Sequence, residues 1–214
     1  MCSPRGIDVF AADGRFLRSV ATRFAGTSAL TIRWENAAEF LYGVQLRRSR
    51  AFKMSLQGNP VLILPFPSKA GVYDEGGYNY KPTAIAVAPD GSIFVADGYG
   101  KSFIHKYDAR GVYLKSFGGR GREEGKLLDP HGLTIDERSG KPLLLVCDRN
   151  NRRLQHFDLQ GNFVAVIAKD LRRPSAAAIY GEFVAVAELE GRVTLLDGDN
   201  REVAYLGENS EQLE

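Results

Sequence analysis

Residues 84–117 change their hydrophobic pattern in steps. Residues 84–88 (Ala-Ile-Ala-Val-Ala) form a short apolar run, Pro89-Asp90-Gly91 follows, and residues 93–96 (Ile-Phe-Val-Ala) form a second run with no polar interruption. An unbroken run of this length predicts a strand buried on both faces. Between the runs, proline fixes one φ and glycine supplies a positive one, which predicts a tight turn. From Phe103 to Tyr107 apolar and polar residues alternate, Asp108 to Gly111 read as another turn, and residues 112–117 give a fourth run. The segment predicts four strands joined by short turns, the inner ones buried on both faces and the outer ones half-exposed.

Nearly the same pattern occurs three times, at residues 82–117, 130–168 and 174–207. Each copy opens with a proline (Pro82, Pro130, Pro174), and its second run is closed by an acidic residue (Asp97, Asp148, Glu188). The recurrence of that acid predicts a structural tie to loop backbone in every copy. A unit this short cannot bury its own apolar faces and must stack on its neighbours. Four strands per unit with both faces covered predict an all-β fold, a β-propeller of four-stranded blades.

Extending the template backwards, residues 7–20 match the outer half of a blade and residues 29–64 a worn copy. In the worn copy residues 43–50 (Gly-Val-Gln-Leu-Arg-Arg-Ser-Arg) stand where the closing acid is expected. The expectation is a single domain over residues 1–207, with about four to five blade equivalents and a polar tail at 208–214. Such a ring is incomplete and leaves apolar faces open. That predicts closure by association, with a homo-oligomer as one route.

At 214 residues and 44% hydrophobic content, the chain can bury a sizeable core. Its two cysteines, Cys2 and Cys147, lie too far apart in sequence to form a disulfide framework. No leader-like or spanning apolar run occurs, so no membrane contact is expected and the cytoplasm is the default compartment. The net charge of +2 conceals an asymmetry. The first 53 residues carry nine Lys or Arg against four Asp or Glu, whereas from Pro174 onward two Arg face nine acids. The basic run Arg47, Arg48, Arg50 and Lys53 has little aromatic interleaving, which makes nucleic acid an unexpected partner. Gly118-Gly119-Arg120-Gly121-Arg122 lacks the Lys-Ser/Thr pair of a phosphate loop and reads as a connection between blades.

Asp-Gly-Ser-Ile-Phe-Val-Ala-Asp-Gly-Tyr (residues 90–99), Pro-His-Gly-Leu (130–133) and Val-Cys-Asp-Arg-Asn-Asn-Arg-Arg-Leu-Gln-His-Phe (146–157) together resemble NHL-repeat propellers. The resemblance is specifically to the peptidyl-α-hydroxyglycine α-amidating lyases and their bacterial relatives. It implies a six-bladed fold, of which this chain would lack the inner half of the first blade and the whole of the last. It implies a lyase that splits peptidyl-α-hydroxyglycine into a peptide amide and glyoxylate. It also implies a zinc held by three histidines on alternating blades, a tyrosine base and an arginine near the substrate. Carried over by motif, the tyrosine falls on Tyr99, the arginine on Arg149 and one zinc histidine on His131. The second histidine is replaced by Ser28 in Ser28-Ala29-Leu30, and the third would lie in the missing blade. If active, the chain would be a carbon–nitrogen lyase with an incomplete zinc site. The competing expectation is a non-catalytic propeller that binds a peptide or protein on its central face. His105 and His156, on third strands, are expected to be half-exposed sheet residues and not ligands.

Overall fold

The computed structural model describes residues 2–3, 6–35, 37–74 and 79–207, with residues 2–3 as backbone only. The expected tail at 208–214 lies outside the described residues. The strands form five sheets. Sheet I holds β1 (Cys2–Ser3), β2 (Gly6–Phe10) and β3 (Phe16–Val20), and sheet II β4 (Ala29–Glu35), β5 (Ala38–Gln45), β6 (Arg50–Ser55) and β7 (Pro60–Leu64). Sheet III holds β8 (Ala84–Val87), β9 (Ile93–Ala96), β10 (Phe103–Tyr107) and β11 (Tyr113–Gly118). Sheet IV holds β12 (Pro130–Asp136), β13 (Leu143–Asp148), β14 (Arg153–Phe157) and β15 (Phe163–Ala168). Sheet V holds β16 (Pro174–Tyr180), β17 (Phe183–Glu188), β18 (Arg192–Leu196) and β19 (Glu202–Leu206). Each sheet is an antiparallel meander in chain order, and β4, β8, β12 and β16 pack side by side as the innermost strands. The result is a propeller of four complete four-stranded blades, with sheet I beside them and no closed ring.

The core lies between blades. Phe94 and Ile104 of sheet III pack on Leu144, Val146 and Phe157 of sheet IV. Leu145 and Leu154 on the opposite side of sheet IV pack on Val184, Val186 and Leu196 of sheet V. A strand such as β9, covered from both sides, therefore needs apolar residues at every position, and all four of its residues are buried. On the outer side of sheet V, Ala176, Ala178, Tyr180 and Phe183 share a face that no described sheet covers.

The repeated acids close the connections. Asp97 accepts the backbone N–H of Lys81 at 2.6 Å and of Lys101 at 2.6 Å. Asp148 accepts from Leu128 N–H at 2.7 Å, and Glu188 accepts from Arg172 N–H. Each acid thus ties the end of its blade's second strand to the segment leading into the first. Sheet II has no acid there, yet it is a full four-stranded blade. Gln45 fills the place: its amide donates to the Ala25 carbonyl at 2.7 Å and accepts from Arg50 at 2.6 Å, much as Asp148 accepts from Arg153 at 2.8 Å. An amide can make these bonds because the requirement is for hydrogen-bonding capacity, not charge.

Two expectations from sequence are corrected. His105 and His156 are buried, not half-exposed. Neighbouring elements add partners that strand alternation does not foresee. His105 bonds Tyr73 at 2.6 Å and Ser116 at 2.7 Å, and burial pushes its imidazole down to about 3. His156 bonds Asp136 at 3.0 Å, and Arg138 bonds the same carboxylate at 2.7 Å. Burial alone would raise the Asp136 carboxyl, but the bonds from His156 and Arg138 outweigh it and hold the group below the ordinary range. A carboxyl lowered by folding adds stability that is present above its unfolded value of about 3.9 and fades as pH falls through the folded value. Asp136→Asn is therefore expected to cost about 1–3 kcal/mol at neutral pH. In urea unfolding the gap between the variant and the parent should narrow below about pH 4; a gap independent of pH would contradict this account.

Candidate functional site

The inner strands all start at one end of the channel, and the sequence-named residues gather there. β12 carries an irregularity between Pro130 and Gly132, where His131 is the extra residue opposite β13. β16 has the same irregularity between Pro174 and Ala176, at Ser175. A bulge leaves one residue out of the ladder and re-aims its side chain. His131 uses this freedom to reach the next blade, its Nδ1 bonding the Ser175 carbonyl at 3.0 Å. Because a carbonyl only accepts, Nδ1 carries the proton and Nε2 is the acceptor in the neutral ring. Burial lowers the imidazole below its ordinary range; the Ser175 bond and the Asp129 charge oppose this, and the Arg149 charge adds to it.

Tyr99 and Arg149 come from turns between second and third strands, on sheets III and IV. Arg149 donates from Nη1 to Tyr99 Oη at 2.8 Å, and its guanidinium carbon stands 4.8 Å from the centre of the Tyr99 ring. The Tyr99 and His131 rings meet edge to face, with centres 5.6 Å apart. The structure thus brings all three sequence-named residues into one contacting group. Tyr99 is exposed, His131 half-buried and Arg149 buried. Arg149 Nε is a buried donor without a partner among the described residues. A buried donor of this kind is costly unless a ligand meets it.

Beside the group, a cavity of about 470 Å³ opens along the inner strands, lined at its mouth by Ser28, Thr83, His131 and Ser175. These four residues hold equivalent positions at the starts of inner strands. Sequence reasoning named His131 and the Ser28 replacement but missed Thr83, which donates to the Pro130 carbonyl at 2.7 Å and accepts from Gly98 N–H at 3.2 Å. The signal was available, since Thr83, His131 and Ser175 each follow the proline that opens a copy. Gly98, in the Asp-Gly-Tyr motif, is required by close approach: a Cβ there would lie 2.1 Å from the Pro130 carbonyl oxygen and 2.6 Å from Thr83 Oγ1. Gly98→Ala is expected to destabilise by about 1–3 kcal/mol through overpacking. It should also push the Tyr99 turn away from β12. Thermal melts and the Tyr99–His131 nuclear Overhauser contact would read both effects, and an unshifted contact would refute the packing role.

The donor set tests the implied zinc. Where three imidazoles are implied, the inner-strand starts offer one imidazole and three hydroxyls, and no group of three or more His, Cys, Asp or Glu suited to a metal occurs among the described residues. Neutral hydroxyls do not replace imidazoles around zinc. The described residues do not fit a zinc centre. Cys147, buried behind β12, adds no ligand, its thiol pushed up to about 12 by burial and by the neighbouring Asp148 charge.

No protein-family model matches the chain. It is 40% identical over 79 residues to the probable peptidyl-alpha-hydroxyglycine alpha-amidating lyase pgal-1 of Caenorhabditis elegans, covering 36% of this chain and 22% of that protein. It is 42% identical over 112 residues to peptidyl-alpha-hydroxyglycine alpha-amidating lyase 2 of Drosophila melanogaster, covering 49% of this chain and 27% of that protein. A streptogramin B lyase structure superposes with a TM-score of 0.67 at 14% identity, covering 95% of this chain and 62% of that one. At that identity the superposition speaks for the fold alone. The matches span less than a third of these two curated relatives' own length. The chain is thus a β-propeller whose sequence is similar, over part of its length, to the peptidyl-α-hydroxyglycine α-amidating lyases.

Proposed function

We propose that the channel mouth binds the C-terminal end of a peptide ending in α-hydroxyglycine, and that the activity of this propeller is of the amidating-lyase type. The observation that carries this reading is the contact of Tyr99, His131 and Arg149 at one mouth, from two turns and the bulge on β12. Arg149 takes the ligand carboxylate on its Nε and Nη2 edge, since Nη1 is committed to Tyr99. Tyr99 Oη receives the proton of the carbinol hydroxyl. As that proton leaves, the carbon–nitrogen bond breaks and the carbinol carbon becomes the aldehyde carbon of glyoxylate. The nitrogen keeps the bonding pair and takes the hydroxyl proton that Tyr99 gives up as it receives the carbinol proton, which gives the peptide amide and leaves Tyr99 as it began. His131, neutral and with Nε2 as acceptor, orients the carbinol hydroxyl. The donor set for zinc is lacking among the described residues, so the rate is expected to be low.

Glyoxylate release from an α-hydroxyglycine peptide, followed with and without added zinc, tests the reading. Release that is abolished by Tyr99→Phe supports it. Binding without release would leave a peptide-binding propeller, and neither binding nor release would sink the proposal.

A further inference from the structure

The two ends of the propeller differ in charge. Because every inner strand starts at the same end, the connections leading into inner strands gather there, together with the turns between second and third strands. Among the described residues these loops hold fourteen Lys or Arg and seven Asp or Glu, one of the acids being the buried Asp97. The turns at the opposite end hold five Lys or Arg and eight Asp or Glu. The described loops thus form a basic end, which carries Tyr99, His131 and Arg149, and an acidic one. A field of one sign around a cleft concentrates ligands of the other.

Several arginines of the basic end have side chains without a partner among the described residues, and four of them are Arg47, Arg48, Arg172 and Arg173. Arg47 and Arg48 are exposed in the turn after β5, and Arg172 and Arg173 are half-buried in the segment leading into β16. None of the four makes an ion pair among the described residues, whereas Arg153 and Arg192 of neighbouring strands are paired to Asp148 and Glu188. They belong to the loops at the end where the inner strands start, two on sheet II and two in the segment leading into sheet V. Arg149, on sheet IV, keeps a buried donor without a partner.

Two anionic polymers could answer this field. Single-stranded nucleic acid needs aromatic platforms for its bases. Of the aromatic residues described in these loops, only Tyr99 is exposed; Phe24 and Tyr80 are buried, and Phe66 and Tyr73 are half-buried. The mouth itself is lined by small hydroxyl residues and one imidazole, which suit a peptide backbone. We infer that the preferred ligand is an acidic peptide, its C-terminal carboxylate on Arg149 and its preceding Asp or Glu side chains over Arg47, Arg48, Arg172 and Arg173. This rests on the reading of Arg149 as the carboxylate site and adds the class of peptide that the site selects.

The test uses the full chain and fluorescein-labelled octapeptides ending in glycine, with either Glu or Gln at the four positions before it. A Glu peptide with an amidated C-terminus and a single-stranded RNA oligomer complete the set. The free-acid Glu peptide should bind about tenfold tighter than its Gln counterpart at low salt, the equivalent of two or three screened ion pairs. The advantage should shrink as ionic strength rises. The double variant Arg47→Gln, Arg48→Gln, changed only at exposed positions, should lose much of that advantage and bind the Gln peptide as the parent does, with an unchanged melting temperature. Equal binding of the Glu and Gln peptides overturns the charge inference and leaves the carboxylate reading standing. Equal binding of the free-acid and amidated Glu peptides overturns the carboxylate reading. RNA that binds more tightly than the acidic peptide, with the same dependence on Arg47 and Arg48, overturns the inference in favour of nucleic acid. Failure of every peptide to bind overturns both readings.

Discussion

Asp148→Ala is expected to lower stability by about 3–5 kcal/mol, because it removes the one acceptor that four donors share at a buried position. The fully buried carboxylate holds Leu128 N–H at 2.7 Å, Asn151 at 2.8 Å, Arg153 at 2.8 Å and Gln155 at 2.9 Å. Alanine leaves a guanidinium, two amides and a backbone N–H without their acceptor. For a chain of this size the cost corresponds to a fall of roughly 10 °C in melting temperature. Asp148→Asn should do less harm, since the side-chain oxygen can still accept from Leu128, as Gln45 accepts from Arg50 in sheet II. Differential scanning calorimetry of the two variants would separate lost charge from lost bonding. Equal losses in both would show that charge and not bonding capacity is what sheet IV requires.

The second large effect is expected at Arg149. Arg149→Met retains much of the side-chain volume over the Tyr99 ring and removes the charge, so binding of a free-acid peptide should weaken by about a hundredfold, near the cost of one charge-assisted bidentate contact. Binding of the amidated peptide, which has no carboxylate to lose, should change little. Tyr99→Phe removes only the hydroxyl that accepts from Arg149 at 2.8 Å. It should spare affinity and abolish glyoxylate release, a split between binding and turnover that a purely structural tyrosine would not show. Titration calorimetry with both peptides, beside the glyoxylate assay, reads the two predictions together. If Arg149→Met weakens both peptides alike, the guanidinium supports the turn and does not meet the ligand.

Particular residues show how far the sequence carries. Asp97, Asp148 and Glu188 were legible as ties because they recur at one place in each copy, and a repeated local need leaves a repeated residue. Gln45 broke that rule in residue type and kept it in bonding, so the blade that reads as worn is complete. His105 and His156 misled because alternation along a strand reports only which side a residue faces. Their burial comes from Tyr73, Ser116 and Arg138, supplied by other segments. Tyr99, His131 and Arg149 could be named only by motif, one residue at a time.

By itself, then, the sequence determined the strands, the tight turns and the stacking of repeated units, because period-two patterning, turn chemistry and a tie within each copy all act over a few residues or within one blade. Tertiary structure alone decided what meets at the channel. Tyr99 and Arg149 are 50 residues apart yet share a hydrogen bond, and His131 reaches Ser175, 44 residues on, from a bulge. The separation of charge between the two ends was likewise hidden, since it follows from which turns the meander places together and not from the order of charges along the chain. Contacts between blades depend on how sheets stack around an axis, and no short stretch of sequence contains that geometry.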